Sequence, residues 1–492
     1  MKRSYFLLFY IFCAFISHGK PKDENSNIKT ISIYPDKIIN QFDQNPIGIN
    51  INYFIDNDKI NHPTNQLSQT IKKMGVKFLR YPGGDKSDNN LFSVPPYRKA
   101  DPHLSRLGKG ASLGRKDFLT NNESNFKYIP LDFDKFMALC KKTGCEPIIV
   151  VPCDTRKNIF PSATYISSRE QLIEHAAEWV RYANKKHNYK IKYWMVGNES
   201  WNSAVKYGGY SAKDYAEDIR DFSDAMKKVD SSIKIIPNVT SEDEDYSKSL
   251  FEIAKGKFDL LCISNYPVRT FKNGYSDWAS NTNNLIFPFK GVTNQIDKFG
   301  TEEQKKNMQI IVAEFGPFDW WDGWGSDGDI GHAMCNFDIL GKLLEQPRMK
   351  MSCFWNTRWL LEPNKWPGYN ALDNNNNMHP IGYSIAFWAK YLYPKMVQSN
   401  VSSSNSILSY ATFSESQKSA YVYVLNQLGL SQDIELIMNH KKINKISCVA
   451  YMSGTNPHDM KPEISMVETT KSNKLQILPY SITVFKIAIT EI

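Results

Sequence analysis

The chain has 492 residues, 41% of them hydrophobic and 23% charged, enough apolar material for a large folded body. Its net charge of +9 arises from 60 basic and 51 acidic residues spread along the whole length. With no basic run and no nucleic-acid motif, that balance argues against a nucleic-acid partner; it suits an acidic polysaccharide and equally suits plain solubility.

The N-terminus reads as an export signal over residues 1–19. Lys2 and Arg3 precede an apolar stretch, 5–16, and small residues follow at Ser17 and Gly19. A secreted or periplasmic protein is expected. Cys13 lies inside the apolar stretch rather than at its end, which makes a lipoprotein anchor the weaker reading. No run is long enough to predict a membrane span.

A strand-like segment at 29–39 comes first. Eight further strand-like runs follow at 47–52, 78–81, 147–152, 191–199, 233–238, 260–266, 309–315 and 351–356. Several are continuously apolar, as strands buried on both faces should be; Ile148-Ile149-Val150-Val151 is the clearest. Helical patterns separate most of them, at 131–143, 169–187 and 210–229 among others. In the first, Phe133, Phe136 and Met137 fall at helical spacing and Gly144 marks the stop. Strand–helix alternation repeated eight times predicts an α/β fold, a (β/α)8 TIM barrel spanning 43–385.

From about residue 386 the pattern becomes short, alternating and turn-separated, at 406–413, 420–426, 434–438, 446–451 and 481–487. That predicts a C-terminal antiparallel β-sandwich domain, 386–492, joined by 20–42. All eleven tryptophans lie between Trp179 and Trp388. The sandwich therefore lacks the exposed tryptophans of a sugar-binding module, and a structural role is expected of it. The asparagine run 374–377 reads as a loop without a role of its own. Beyond Cys13 there are seven cysteines, an odd number without regular spacing. Buried thiols are expected, with a single bridge left open. The nine histidines show no metal-binding spacing, so neither a catalytic metal nor an organic cofactor is expected.

Two phrases carry the chemistry. Tyr193-Trp194-Met195-Val196-Gly197-Asn198-Glu199 and Ile310-Ile311-Val312-Ala313-Glu314-Phe315-Gly316 are apolar runs that close on a glutamate. A carboxylate there is costly unless it faces a solvated or functional cavity. By position they end the fourth and seventh barrel strands, and in such barrels the strand C-termini carry the active site. Two facing carboxyl groups are the equipment for cleaving a glycosidic bond. Glu199 is expected as acid/base and Glu314 as nucleophile of a retaining enzyme; the bland alternative is that each caps a strand against a structural arginine. In Phe318-Asp319-Trp320-Trp321-Asp322-Gly323-Trp324-Gly325, the tryptophans Trp320, Trp321 and Trp324 read either as sugar-stacking faces or as a compact self-packed loop. Trp201 and the stretch 359–366 are candidate walls of the same cleft.

Asn198-Glu199 after an aromatic strand, with Ala313-Glu314-Phe315-Gly316, resembles clan A of the glycoside hydrolases. Within the clan, Phe78-Leu79-Arg80-Tyr81-Pro82-Gly83-Gly84, Glu146-Pro147-Ile148-Ile149-Val150 and Ile33-Tyr34-Pro35-Asp36 are similar to the family 51 α-L-arabinofuranosidases. The resemblance implies a polysaccharide or oligosaccharide substrate of plant or algal origin. It also implies roles for neighbours. Asn198 would bond the sugar hydroxyl beside the anomeric carbon, and Arg80 would help keep Glu314 ionised. Tyr266 would donate to Glu314, and Trp355 would floor the sugar. A structural acid for Arg80, and simple rim packing for Tyr266 and Trp355, are the alternatives. After strand two the chain departs from the family, reading Asp85-Lys86-Ser87-Asp88-Asn89-Asn90. That continuation is closer to the heparanase and β-glucuronidase group. The basic loop 93–125 leaves uronic-acid glycans open as the substrate, and a degenerate glycan-binding barrel is the non-enzymatic alternative.

Overall fold

The computed structural model describes residues 28–53, 55–58, 63–91, 103–104, 131–153, 168–202, 210–280, 284–319, 323–325, 327–359, 367–402, 404–471 and 474–491. The export segment 1–19, nearly all of the loop 93–125, and both Trp320 and Trp321 lie outside the described residues.

After β1 (Lys29–Gln41) come eight parallel strands: β2 (Ile47–Asn50), β3 (Phe78–Tyr81), β4 (Glu146–Val151), β5 (Tyr193–Val196), β6 (Lys234–Pro237), β7 (Leu261–Asn265), β8 (Ile310–Phe315) and β9 (Met349–Phe354). Their ladder runs β6-β5-β4-β3-β2-β9-β8-β7. A parallel bridge between Asn238 and Cys262, with Val239 N donating to Cys262 O at 2.9 Å, joins β6 to β7 and closes the ring. Continuous apolar strands are explained by this closure. Ile148 and Val150 point into the barrel with Phe78, Met195, Ile236, Ile311 and Met351. Ile149 and Val151 point out beneath the helices.

The surrounding helices are α1 (Leu67–Met74), α2 (Phe133–Thr143), α3 (Arg169–Val180), α4 (Ala212–Val229), α5 (Glu244–Ile253), α6 (Tyr275–Ser280), α7 (Phe287–Phe299), α8 (Glu302–Asn307), α9 (Ile330–Leu344) and α10 (Pro380–Tyr391). Local signals set their ends. For α2, Asp132 accepts from Lys135 N as N-cap, Phe133, Phe136 and Met137 form the buried face, and Gly144 ends it in the left-handed conformation. The helix expected over 169–187 is α-helical only to Val180; Arg181–Lys186 continues it with π geometry.

The second unit is a ten-stranded, mostly antiparallel sheet. It comprises β1 with β10 (Lys395–Val401), β11 (Ile407–Phe413), β12 (Ser419–Asn426), β13 (Gln432–Met438), β14 (Lys441–Ser453), β15 (Glu463–Ser465), β16 (Thr469–Lys471), β17 (Lys474–Ile477) and β18 (Ser481–Glu491). β1 pairs antiparallel with β10 and parallel with β13. Ile33, Val422, Leu436, Phe485 and their neighbours enclose a core separate from the barrel's. The boundary expected at 385/386 falls inside α10. That helix runs to Tyr391 because its apolar face still packs on the barrel helices, and alternation starts only at Lys395.

The two units are welded together. Trp388 of α10 donates to Phe337 O at 3.0 Å and lies against Tyr410 and Tyr423 of the sheet. Asp338 accepts from both Trp278 and Tyr410. The seven cysteines after Cys13 are buried and none is in a disulfide, which answers the one pairing left open. The asparagine run is not idle. Asn376, at φ 61°, accepts from Arg358 and donates to Asp58 and to Asn65 O, tying the last barrel loop to the first.

Candidate active site

Glu314 reaches the barrel mouth because β8 is irregular. Ile311 and Ala313 face the interior, so strict alternation would send residue 314 to the helix side. The register breaks between Val312 and Glu314 against β7, and again toward Phe315 against β9. Such a break re-aims a side chain. The Glu314 carboxylate then meets Arg80 Nη1 at 3.0 Å on Oε1 and Tyr266 OH at 2.9 Å on Oε2.

Arg80, on β3, is 1% exposed and links the whole site. Besides Glu314, its Nη1 donates to Asn50 Oδ1 at 2.8 Å and its Nη2 to Asn198 Oδ1 at 2.6 Å. Nε points at Met195 Sδ, 3.3 Å away. Asn50 holds the guanidinium in place, since its Nδ2 donates to Ala313 O at 2.8 Å and Phe354 O at 3.1 Å. Asn50 was absent from the sequence-based candidates. The signal was there: it shares the period-two face of β2 with Gly48, a polar residue in an otherwise apolar interior.

Glu199 sits beyond its strand rather than on it. β5 ends at Val196, and the chain bends through Gly197 at φ 74° and Glu199 at φ 45°. A Cβ on Gly197 would lie 2.3 Å from Ser200 Oγ and 2.6 Å from Cys153 Sγ, so only glycine fits. Between them, Asn198 is fixed by Asp88 Oδ1, which accepts its backbone N–H at 3.1 Å. With Oδ1 taken by Arg80, the Asn198 Nδ2 donor has no protein partner among the described residues and is available to a hydroxyl. Asp88 belongs to the six-residue 3-10 turn Gly84–Asn89, the segment where the chain departs from the arabinofuranosidase pattern.

Burial, and next the charge of Glu199, push the Glu314 carboxyl up to about 7, against the lowering effects of Arg80 and the Tyr266 hydrogen bond. The expectation that Arg80 helps keep Glu314 ionised holds, since the arginine pulls in that direction, but desolvation is larger. The Arg80 guanidinium, which can only donate, still suits an unprotonated Oε1, and the Tyr266 hydroxyl supports the charge by donating to Oε2. In a free enzyme that needs Glu314 ionised, kcat/KM therefore falls as pH drops through about 7. Tyr266→Phe removes one donor to the carboxylate, an interaction of about 1.5–3 kcal/mol. The variant is expected to lose about 10–100-fold in kcat/KM at pH 6 and to move the acid limb of the pH profile upward. An unmoved limb would show that Tyr266 only packs.

The remaining candidates divide. Trp355 follows β9, is buried, and lies over Gly84, where a Cβ would come within 2.0 Å of its ring. Its ring also meets Trp359 at 5.3 Å. Trp201 is half-buried against the core beside the Glu199 turn. Trp324 is corrected. It is 6% exposed, its ring stacked on His332 at 4.2 Å and edged by Phe271 at 4.9 Å, so it packs the rim and offers no face to a sugar. Asp and Gly flanks disguised this, since the ring's partners lie on other elements. A cavity of about 810 Å³ lined by Cys145, Glu146, Tyr189 and Lys192 opens at the opposite, N-terminal end of the strands, away from the two glutamates. No group of three or more metal-ligating side chains occurs among the described residues.

Residues 70–282 match the Alpha-L-arabinofuranosidase 1 domain family. Probable alpha-L-arabinofuranosidase C of Aspergillus fumigatus is 25% identical over 187 residues, 34% of this chain and 30% of that protein. The intracellular exo-alpha-L-arabinofuranosidase of Bacteroides ovatus is 23% identical over 281 residues, 51% of this chain and 48% of that protein. The matches thus span about half or less of these curated relatives. In fold the likeness is nearly complete. The GH51 alpha-L-arabinofuranosidase from Thermotoga petrophila RKU-1 superposes with a TM-score of 0.70 at 15% identity, covering 93% of this chain and 99% of that one. In fold over nearly its whole length, and in sequence over much of its barrel, the chain is similar to the family 51 α-L-arabinofuranosidases.

Proposed function

We propose that the protein is a retaining glycoside hydrolase of the α-L-arabinofuranosidase type, acting on a plant or algal polysaccharide or on an oligosaccharide released from one. The observation that carries this reading is the Glu314 carboxylate, held by Arg80 and Tyr266 and electrostatically coupled to Glu199 from the fourth barrel strand's turn. An arginine alone beside a glutamate would be a structural pair. An arginine shared with Asn198, next to a second carboxylate, is the layout of a glycosidase.

The mechanism follows from the partners. A Glu314 oxygen attacks the anomeric carbon as the bond to the leaving oxygen breaks, and Glu199 gives that oxygen its proton. Glu199 then takes a proton from water, whose oxygen displaces Glu314 and restores both groups. Asn198 Nδ2 is placed to bond a ring hydroxyl while Arg80 holds its Oδ1. No further group is needed.

The test is hydrolysis of aryl α-L-arabinofuranoside, β-glucuronide, β-xyloside, β-glucoside and β-galactoside by the purified protein, with product configuration followed by NMR. Release of arabinose first formed in the α configuration is expected. Cleavage of the glucuronide alone would move the substrate to uronic-acid glycans. A first product of inverted configuration would refute double displacement, and glycan binding without any cleavage would revive the binding-barrel alternative. The proposal includes export, which rests on segment 1–19 alone; a mature chain that begins with Met1 refutes it. Among the described residues no helix is long and apolar enough to cross a membrane.

A further inference from the structure

We infer that Asn238 is the positioning residue of the acid/base, holding Glu199 in its left-handed turn; this rests on the hydrolase reading above. Glu199 is a non-glycine residue at φ 45°, a conformation that persists only where the surroundings impose it. Among the described residues its side chain makes no hydrogen bond, so the restraint comes through its backbone, where Glu199 O accepts from Asn202 N at 2.7 Å, and through its neighbours. On one side Asn198 is held by Asp88 and Arg80. On the other side Ser200 O accepts from Tyr246 OH at 3.2 Å, while the Ser200 N–H and hydroxyl both meet one buried amide. Asn238 Oδ1 accepts from Ser200 N at 2.7 Å. Its Nδ2 lies 3.1 Å from Val196 O, 3.2 Å from Ser200 Oγ and 2.8 Å from Tyr215 OH. Tyr215 OH itself donates to Val196 O at 2.8 Å and accepts from Asn238 N at 2.8 Å. Residues 196 and 200 are the two ends of the turn that carries Glu199, and Asn238 joins them.

The residue type and place both matter. An amide is acceptor and donor at once, which neither an aspartate nor an apolar side chain can be. Asn238 is also the residue whose backbone bridges to Cys262 at the closing seam of the barrel, so its side chain starts from a rigid point. It belongs to the Glu199 half of the site only. The Glu314 half is held by Asn50, Arg80 and Tyr266.

That division makes the role measurable. Protonation of the leaving oxygen matters most when the leaving group is poor and little when it is good. For Asn238→Ala, kcat/KM should fall about 10–100-fold more on a phenyl glycoside than on a dinitrophenyl glycoside of the same sugar. The gentler Ser200→Ala, which keeps the Ser200 N–H bond, should shift the same ratio in the same direction by less. A crystal structure of Asn238→Ala should show Glu199 leaving the left-handed region. Equal losses on both leaving groups by an active variant would overturn the inference and leave the hydrolase reading standing. An Asn238→Ala crystal structure with Glu199 still near φ 45° would overturn it whatever the activity. A wild-type protein inactive on every substrate would overturn the hydrolase reading, and with it the catalytic meaning of the clamp.

Discussion

Glu314→Ala is expected to abolish turnover while leaving the fold intact. Loss of a nucleophile in a covalent mechanism removes the step itself, so kcat should drop by at least about 10³-fold even for a good leaving group. The protein should not become less stable above neutral pH. Glu314 titrates near 7 in the folded chain against 4.5 as an ordinary glutamate, so folding favours its protonated form. Stability contributed by that preference is full below pH 4.5 and is lost as pH rises through about 7, where the folded chain must bury the charge. Removing the carboxyl relieves that burden at high pH but leaves the Arg80 guanidinium without its counter-charge, so a small net change in Tm at pH 8 is expected.

Rescue distinguishes the two glutamates. In Glu314→Ala, azide should enter the vacated face and give a glycosyl azide of inverted configuration. In Glu199→Ala, azide should attack the glycosyl-enzyme and give the retained one. The opposite pairing of products would exchange the roles assigned to the two residues. Full activity in Glu314→Ala would sink the assignment altogether.

What the sequence made legible follows from how each feature is encoded. The barrel strands are readable because burial on both faces leaves an unbroken apolar run, as in Ile148 to Val151. Glu199 and Glu314 stand out because a carboxylate closing such a run conflicts with its surroundings. The irregularity that turns Glu314 inward is not readable, since it belongs to the pairing with β7 and β9 rather than to the strand's own residues. Asp88 and Asn238 were missed for a related reason. Their partners lie 110 and 38 residues away, and neither sits in a pattern that points across the fold. The departure after Gly84 looked like a question of substrate alone; in the folded chain that segment delivers Asp88 to Asn198. Trp324 was misread because flanking Asp and Gly imitate a surface loop, whereas His332 beneath it comes from α9. The net upward shift of Glu314 was not legible, because a charge partner shows in a motif and desolvation does not.

Arg80→Met should cost both turnover and stability, and the stability cost should depend on pH. The methionine fills much of the stem's volume but leaves Glu314, Asn50 Oδ1 and Asn198 Oδ1 without their shared donor. Breaking a buried ion pair by removing one partner costs about 3–5 kcal/mol, because the other charge remains uncompensated. Here the charge can be neutralised. Without Arg80, Glu314 loses its main lowering influence and moves above its present value of about 7. At pH 5 Glu314 is protonated in both proteins, so the variant loses only packing and the two amide contacts. At pH 8 the wild type carries an ionised, paired Glu314, while the variant must either bury a lone carboxylate or hold a proton. Urea unfolding should therefore show a larger loss at pH 8 than at pH 5, by up to about 1.4 kcal/mol as Glu314 moves from about 7 to above 8. Activity should be lost across the range, because the nucleophile is protonated where the chain is stable and unsupported where it is ionised. Arg80→Lys restores a charge but not the fork that serves three acceptors at once, so it should recover part of the stability and little of the turnover. An equal stability loss at both pH values would mean that Arg80 acts through packing and that its charge does nothing for Glu314.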